Sequence, residues 1–239
     1  MLISAKPTAQ TTTSEIIYPS QDGEPLAETQ EHVWVILITL SILSQYLSQQ
    51  PAVVFANQFL YYIEGNPKAR VAPDVMVVFN IPPGMRGNYK IWQEEETPAI
   101  IFEMTSAGTK EHDWGFKKNL YEQLGVQEYW LFDPYGDWIA DQLRGYSLNE
   151  DGIYKPIHDS SSQVLSLRLQ PNGYLIDFYR LDDGEKLLTP DELLTAAQQE
   201  HQRAEQEHQR AEQERQRAEQ ERQRAEQLAE QLRRLGVDV

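Results

Sequence analysis

Four successive heptads, HQRAEQE, HQRAEQE, RQRAEQE and RQRAEQL, run from His201 to Leu228. Ala, Gln, Glu and Arg are good helix formers, and no Gly or Pro interrupts them. Arg and Glu recur at i,i+4 (Arg203–Glu207, Arg210–Glu214, Arg217–Glu221), a spacing worth about 0.2–0.5 kcal/mol per pair on a helix surface. Such a segment can only be a helix, and it has almost nothing to bury. Its apolar seam is Ala197, Ala204, Ala211, Ala218 and Ala225. The positions that a coiled coil would fill with large apolar residues are His201, His208, Arg215 and Arg222. The spacing predicts one charged helix, with Leu228, Leu232 and Leu235 as a small contact patch at its end. Residues 191–239 are then a solvated rod that forms a weak homo-oligomer or meets a protein partner. Any core must come from the residues before it.

Charge limits what those residues can bind. The chain carries −16; from Glu200 onward eight Arg against nine Glu and one Asp leave −2, so residues 1–199 hold −14. Nucleic-acid-binding domains usually show a basic footprint. Here any DNA contact must be local or helped by a metal ion. The chain has no Cys, which excludes disulfides, thiolate metal sites and cysteine nucleophiles and fits a cytoplasmic setting. The apolar run Val33–Leu43 is about half the ~20 residues a membrane span needs, so it reads as a buried core helix and no membrane partner is expected. The first 13 residues are polar and lack the apolar stretch of a secretory signal.

Residues 1–14 read as an irregular N-terminus. A helix is expected from Glu28 or Thr29 to about Gln49, with Thr29 as its N-cap and Pro51 as its stop. Ala52–Tyr62 reads as a strand or strand pair. Val71–Phe79 (VAPDVMVVF) and Ala99–Thr105 (AIIFEMT) are short, apolar strands separated by a polar loop rich in Pro and Gly. A helix over Lys110–Leu124 should stop at Gly125. The strand Glu128–Phe132 (EYWLF) follows, with two or three further strands between Trp138 and Phe178. This order predicts an α/β fold over 15–190, a mixed β-sheet flanked by helices, followed by the charged helix.

Both apolar strands carry a lone acid. Alternation puts Ile100, Phe102 and Met104 on one face of their strand and Ile101, Glu103 and Thr105 on the other. A carboxylate inside a buried strand is costly unless it is paired or holds a metal; the plain alternative is an acid exposed at the sheet edge. Asp74 follows Pro73 at the start of the other strand, where it could equally be a turn acid. If the two strands pair antiparallel across the long loop, both carboxylates can converge. Two carboxylates with phosphate and water oxygens are what Mg²⁺ accepts. Asp113, Lys117 and Tyr121 fall at i, i+4, i+8 and share a helix face, so Lys117 either reaches the carboxylates or makes an ordinary salt bridge with Asp113. Lys118 points elsewhere and is expected in solvent. His32, His112, His158, His201 and His208 show no metal-ligand spacing.

The stretches APDVMVVF, PAIIFEMTS and DWGFKKNLYEQLGVQEYWLFDP together resemble the Uma-type endonuclease family, a branch of the PD-(D/E)XK nuclease superfamily, over about residues 15–190. The resemblance implies a restriction-endonuclease-like sheet and a Mg²⁺- or Mn²⁺-dependent endonuclease that hydrolyses DNA phosphodiester bonds. It implies Asp74 and Glu103 as catalytic metal-binding acids and Lys117 as the catalytic cation. Glu28 is implied as an accessory metal ligand at the start of the first helix, and Ser106, Asp113 and Tyr121 as supporting residues. The superfamily's usual Lys lies two residues after the Glu, where this chain has Thr105; the resemblance moves that role to Lys117. The rival expectation is an inactive nuclease-fold interaction module that works through its C-terminal helix.

Overall fold

The structure, a computed structural model, describes residues 16–21, 23, 29–105 and 108–234, apart from the side chains at 232 and 233. The chain separates into two compact units, Met1–Leu187 and Leu188–Val239.

In the first unit, helix α1 (Gln30–Tyr46) is capped by Thr29, whose side chain accepts from the His32 N–H at 3.3 Å. The apolar run expected as a buried core helix is buried on one face: Val35, Ile36, Ile38, Ile42 and Leu43 are buried, while Val33, Trp34 and Leu37 are exposed. There follow β1 (Ala52–Ala56), β2 (Leu60–Tyr61), β3 (Arg70–Val71), β4 (Val75–Phe79), β5 (Tyr89–Lys90), the one-turn α2 (Ile91–Glu94) and β6 (Ile100–Met104). A π-helical segment, His112–Lys117, runs into α3 (Lys118–Leu124), which ends at Gly125 with φ +80°. Then come β7 (Glu128–Phe132), β8 (Leu143–Leu148), β9 (Tyr154–Ile157), β10 (Ser161–Ser162), β11 (Leu167–Asn172) and β12 (Leu175–Arg180).

Six strands form a mixed sheet in the order β1-β4-β6-β7-β8-β9. All neighbours are antiparallel except β6 and β7, which pair parallel. A parallel pair needs a crossover, and the π-helical segment with α3 supplies it. Strand alternation sorts the core into two layers. Val75, Val77, Ile100, Phe102, Met104, Trp130 and Phe132 face α1, β11 and β12. Met76, Val78, Ile101, Tyr129 and Leu131 face α3 and the small sheet β3-β2-β5. Glu103 therefore belongs to the α3 side. On the sheet, Gly145 pairs with Trp130, and a Cβ there would lie 2.5 Å from the indole; only glycine lets that ring lie across β8.

Three local expectations need correction. The stretch 138–178 holds most of five strands, not two or three. They are short, half-exposed and joined by tight turns at Gly152 and Gly173, both with positive φ, so their apolar signal is diluted. Pro156 is tolerated because β9 is an edge strand. Second, Val71–Phe79 is not one strand. Pro73 has no N–H to give a ladder, and the chain breaks between β3 and β4. Third, Lys118 is not simply solvated: its Nζ lies 4.9 Å from the Tyr146 ring centroid and 5.7 Å from that of Tyr154.

The second unit holds α4 (Pro190–Arg234), 45 residues long, or about 67 Å at 1.5 Å per residue. Thr189 and Glu192 cap it reciprocally: the Glu192 carboxylate accepts from Thr189 N at 2.8 Å, and Thr189 Oγ1 accepts from Glu192 N at 3.3 Å. Arg222 pairs with Glu219 and Glu226, and Arg234 with Glu230. Leu228 is exposed; the Leu232 side chain and Leu235 lie outside the described residues. No described helix is long and apolar enough to cross a membrane.

Candidate active site

The break before β4 places Asp74. Its carbonyl accepts from Asn57 N at 3.1 Å, which ties the bend to the end of β1. The register pairs Val75 with Phe102, so Asp74 lies level with the end of β6. There its Oδ2 accepts the Met104 N–H at 2.6 Å, and the side chain continues the ladder that the β4 backbone has left. In return, Asp74 N approaches Glu103 Oε2 at 3.4 Å. The antiparallel pairing expected from the sequence thus brings the two acids together.

Glu103 is 1% exposed, so it is not an acid at an exposed sheet edge. Lys117 Nζ donates to its Oε2 at 2.8 Å, and the Tyr121 hydroxyl donates to its Oε1 at 2.8 Å. Lys117 also lies 3.1 Å from Asp113 Oδ1. The shared face of Asp113, Lys117 and Tyr121 is real, although its first part is wound as a π-helix and not as the α-helix expected. π-Helical turns are rare and tend to occur at functional sites. Asp113 itself is buried, and its carbonyl accepts from the Tyr129 hydroxyl at 3.0 Å.

The cluster is short of positive charge. Glu103 and Asp113 share one ammonium, Lys117, and Asp74 brings a third carboxylate beside Glu103. Burial pushes the Glu103 carboxyl up to about 8; Lys117 opposes this, while Asp74 and Asp113 add to it. Burial would lower the Lys117 ammonium, but Glu103, Asp113 and Asp74 together outweigh it and hold Lys117 above its ordinary value. Burial and then Glu103 raise the Tyr121 hydroxyl well above its ordinary value, so it stays a donor.

Among the described residues, no three His, Asp and Glu side chains form a ready-made metal cage. The donor set still fits a hard dication. Two carboxylates converge, negative charge is in excess, and Mg²⁺ commonly takes one or two carboxylates and fills its shell with water and phosphate oxygens. Thr105 adds to the fit. It follows Glu103 on the same strand face, and its Oγ1 is buried with no hydrogen-bond partner among the described residues.

Two neighbours of the site were not named from the sequence. His32, in the first turn of α1, has its Nε2 3.8 Å from Asp74 Oδ2; nothing in its spacing linked it to residue 74. Tyr129 could have been found, because it alternates onto the Glu103 side of the sheet. Glu28 and Ser106, named above from the resemblance, lie outside the described residues.

A family profile described as "Uma2: Putative restriction endonuclease" matches residues 9–178, more than half of the chain and all of the cluster. The chain belongs to the Uma2 family. The C-terminal helix lies beyond the part that matches. No curated protein matches the chain. Among solved structures, it is similar to one described as a "putative nuclease belonging to DUF820" from Anabaena variabilis. That likeness has 16% identity over 64% of this chain and 79% of the other, with a TM-score of 0.43.

Proposed function

We propose that this Uma2 domain is a Mg²⁺- or Mn²⁺-dependent endonuclease acting on DNA in the cytoplasm, with Asp74, Glu103 and Lys117 at its centre. The observation that carries the reading is the cluster in which buried Glu103 and Asp113 share one lysine, with the Asp74 carboxylate held beside them on the Met104 N–H. Asp74 and Glu103 would hold the metal. When bound, the metal would acidify a water and offset charge on the phosphodiester.

The chain's own groups divide the remaining work. Lys117 is held in its charged form by the surrounding acids, so it serves as a cation that positions a water or phosphate oxygen, and not as a proton acceptor. Asp113 keeps the Lys117 ammonium in place from one side. Tyr121 fixes the orientation of Glu103 by donating to Oε1, which leaves Oε2 to the Lys117 side. The Thr105 hydroxyl can donate to a bound water or phosphate oxygen at the position the superfamily usually gives to lysine.

A second reading, an inactive nuclease-fold interaction module, draws on one observation. Both Glu103 oxygens are already engaged by Lys117 and Tyr121, a closed arrangement that a purely structural buried acid would also adopt. Incubating the full chain with plasmid, linear duplex and circular single-stranded DNA in Mg²⁺, Mn²⁺ or chelator separates the two. Metal-dependent cuts support the enzyme, and intact DNA under all three conditions supports the module.

A further inference from the structure

The charge of the chain and the surface beside the cluster together bear on how a DNA strand is held. This step rests on the phosphodiesterase reading above. We infer that the substrate is single-stranded DNA, gripped by stacking its unpaired bases on Trp114 and Trp138.

Residues 1–199 carry −14, which disfavours a site that tracks a duplex through its phosphates. Trp114 directly follows Asp113 in the π-helical segment and is 37% exposed; Trp138 is also 37% exposed, and Phe116, just before Lys117, is 48% exposed. None of the three belongs to either core layer. The two indoles line a cleft of about 440 Å³ with Lys110, Glu111 and Gly115.

Each indole carries a cation. Lys110 Nζ lies 3.2 Å from the Trp138 ring centroid, and Arg144 Cζ lies 4.9 Å from that of Trp114. The Trp138 loop is fixed in advance: the Asp133 carboxylate accepts the N–H groups of Tyr135, Gly136, Trp138 and Ile139. Gly115 borders open space on the cleft wall, where a Cβ would meet nothing within 4 Å. Rigid aromatic faces with a few cations are how single strands are bound without sequence preference, because every base has a π-face. A duplex keeps its bases stacked on each other and cannot offer them.

Binding of the full chain to a fluorescein-labelled oligo(dT) of about 12 nucleotides, within the usual range of single-strand site sizes, tests this by anisotropy in chelator, with a duplex of equal length beside it. The single strand is expected to bind more tightly than the duplex. Trp114→Leu and Trp138→Leu should each weaken it about 5- to 150-fold, the range of one lost base stack, while Trp114→Phe keeps most of the affinity. Gly115→Leu, which fills the cleft and removes no aromatic ring, should weaken it too. Trp34→Leu, an exposed indole on α1, should change nothing. With Lys110 and Arg144 on the indoles and Lys117 in the cluster as the described cations of the site, the salt slope should be no steeper than about −2.1.

Equal or tighter duplex binding, no binding of the oligo(dT), or unaltered affinity in both leucine variants would overturn the inference. Its failure is separable from that of the enzyme reading. Cleavage that depends on Asp74 and Glu103 alongside unaltered binding in the Trp variants sinks the stacking alone. Stacking without any metal-dependent cleavage sinks the enzyme alone.

Discussion

Lys117 Nζ lies 2.8 Å from Glu103 Oε2, although the two residues are 14 apart in sequence and sit on a helix and a strand. The parallel crossover makes this contact possible. β6 delivers Glu103 on the face toward α3, and the π-helical segment returns over that face with Asp113 and Lys117 turned inward.

Lys117 and Lys118 should therefore behave differently. Lys117→Met is expected to lose DNA cleavage while keeping Mn²⁺ binding. It should also destabilise the fold by about 3–5 kcal/mol, the cost of leaving buried acids without their cation. Lys118→Met removes only a cation from the Tyr146 and Tyr154 rings, so about 0.5–1 kcal/mol of stability and no activity should be lost. Cleavage rates, Mn²⁺ titrations and urea midpoints on both variants check this; equal losses of activity would mean a diffuse basic patch.

Glu103 should make metal-free stability fall with rising pH. Its folded value of about 8 is above its ordinary 4.5. A group raised in this way stabilises the fold fully below its unfolded value and loses that contribution as pH rises through its folded value. The urea midpoint of the wild type, measured relative to Glu103→Gln, should therefore decline between about pH 4.5 and 8. A difference that is flat or rises across that window would contradict the burial-dominated environment of Glu103.

Asp74 has two jobs that one substitution can separate. Asp74→Asn keeps an oxygen for the Met104 N–H but removes the charge. Folding should be retained, with Tm within a few degrees, and Mn²⁺ affinity and cleavage should be lost. Asp74→Ala also leaves a buried N–H unpaired, which costs about 1–3 kcal/mol more. Thermal unfolding and calorimetric Mn²⁺ titration of the two variants check both statements.

The C-terminal helix should be dispensable for the front domain. Its seam of alanines offers little to bury, so the isolated peptide 188–239 should associate weakly in sedimentation. Removal of residues 200–239 should leave the urea midpoint of the rest unchanged. Tight dimerisation of the peptide would show that its His and Arg positions pack better than their chemistry suggests.

What the sequence showed well was periodic. Alternation along 100–104 placed Glu103 with Ile101, and the i, i+4, i+8 series placed Asp113, Lys117 and Tyr121 on one face. Those patterns follow from backbone geometry alone and survive the change from α- to π-helix in 112–117. What it showed poorly depended on distant partners. His32 meets Asp74 only because α1 packs on the sheet. Lys118 is held by rings on β8 and β9. The short strands after residue 138 are defined by their hairpin partners more than by their own apolar content. The bend at Asp74 was visible as Pro73, but its purpose, a side chain taking over a backbone ladder, was not.

The most direct test of the account is the rate of cleavage of circular single-stranded DNA and of supercoiled plasmid against Mn²⁺ concentration for the wild type, Asp74→Asn and Glu103→Gln under identical conditions. The expected result is saturable, metal-dependent cutting by the wild type that chelator abolishes, with both variants reduced by at least the roughly 10²-fold typical of a lost electrostatic contributor. A folded wild type that leaves both DNAs intact at every Mn²⁺ concentration, or variants that cut as fast as the wild type, would contradict it.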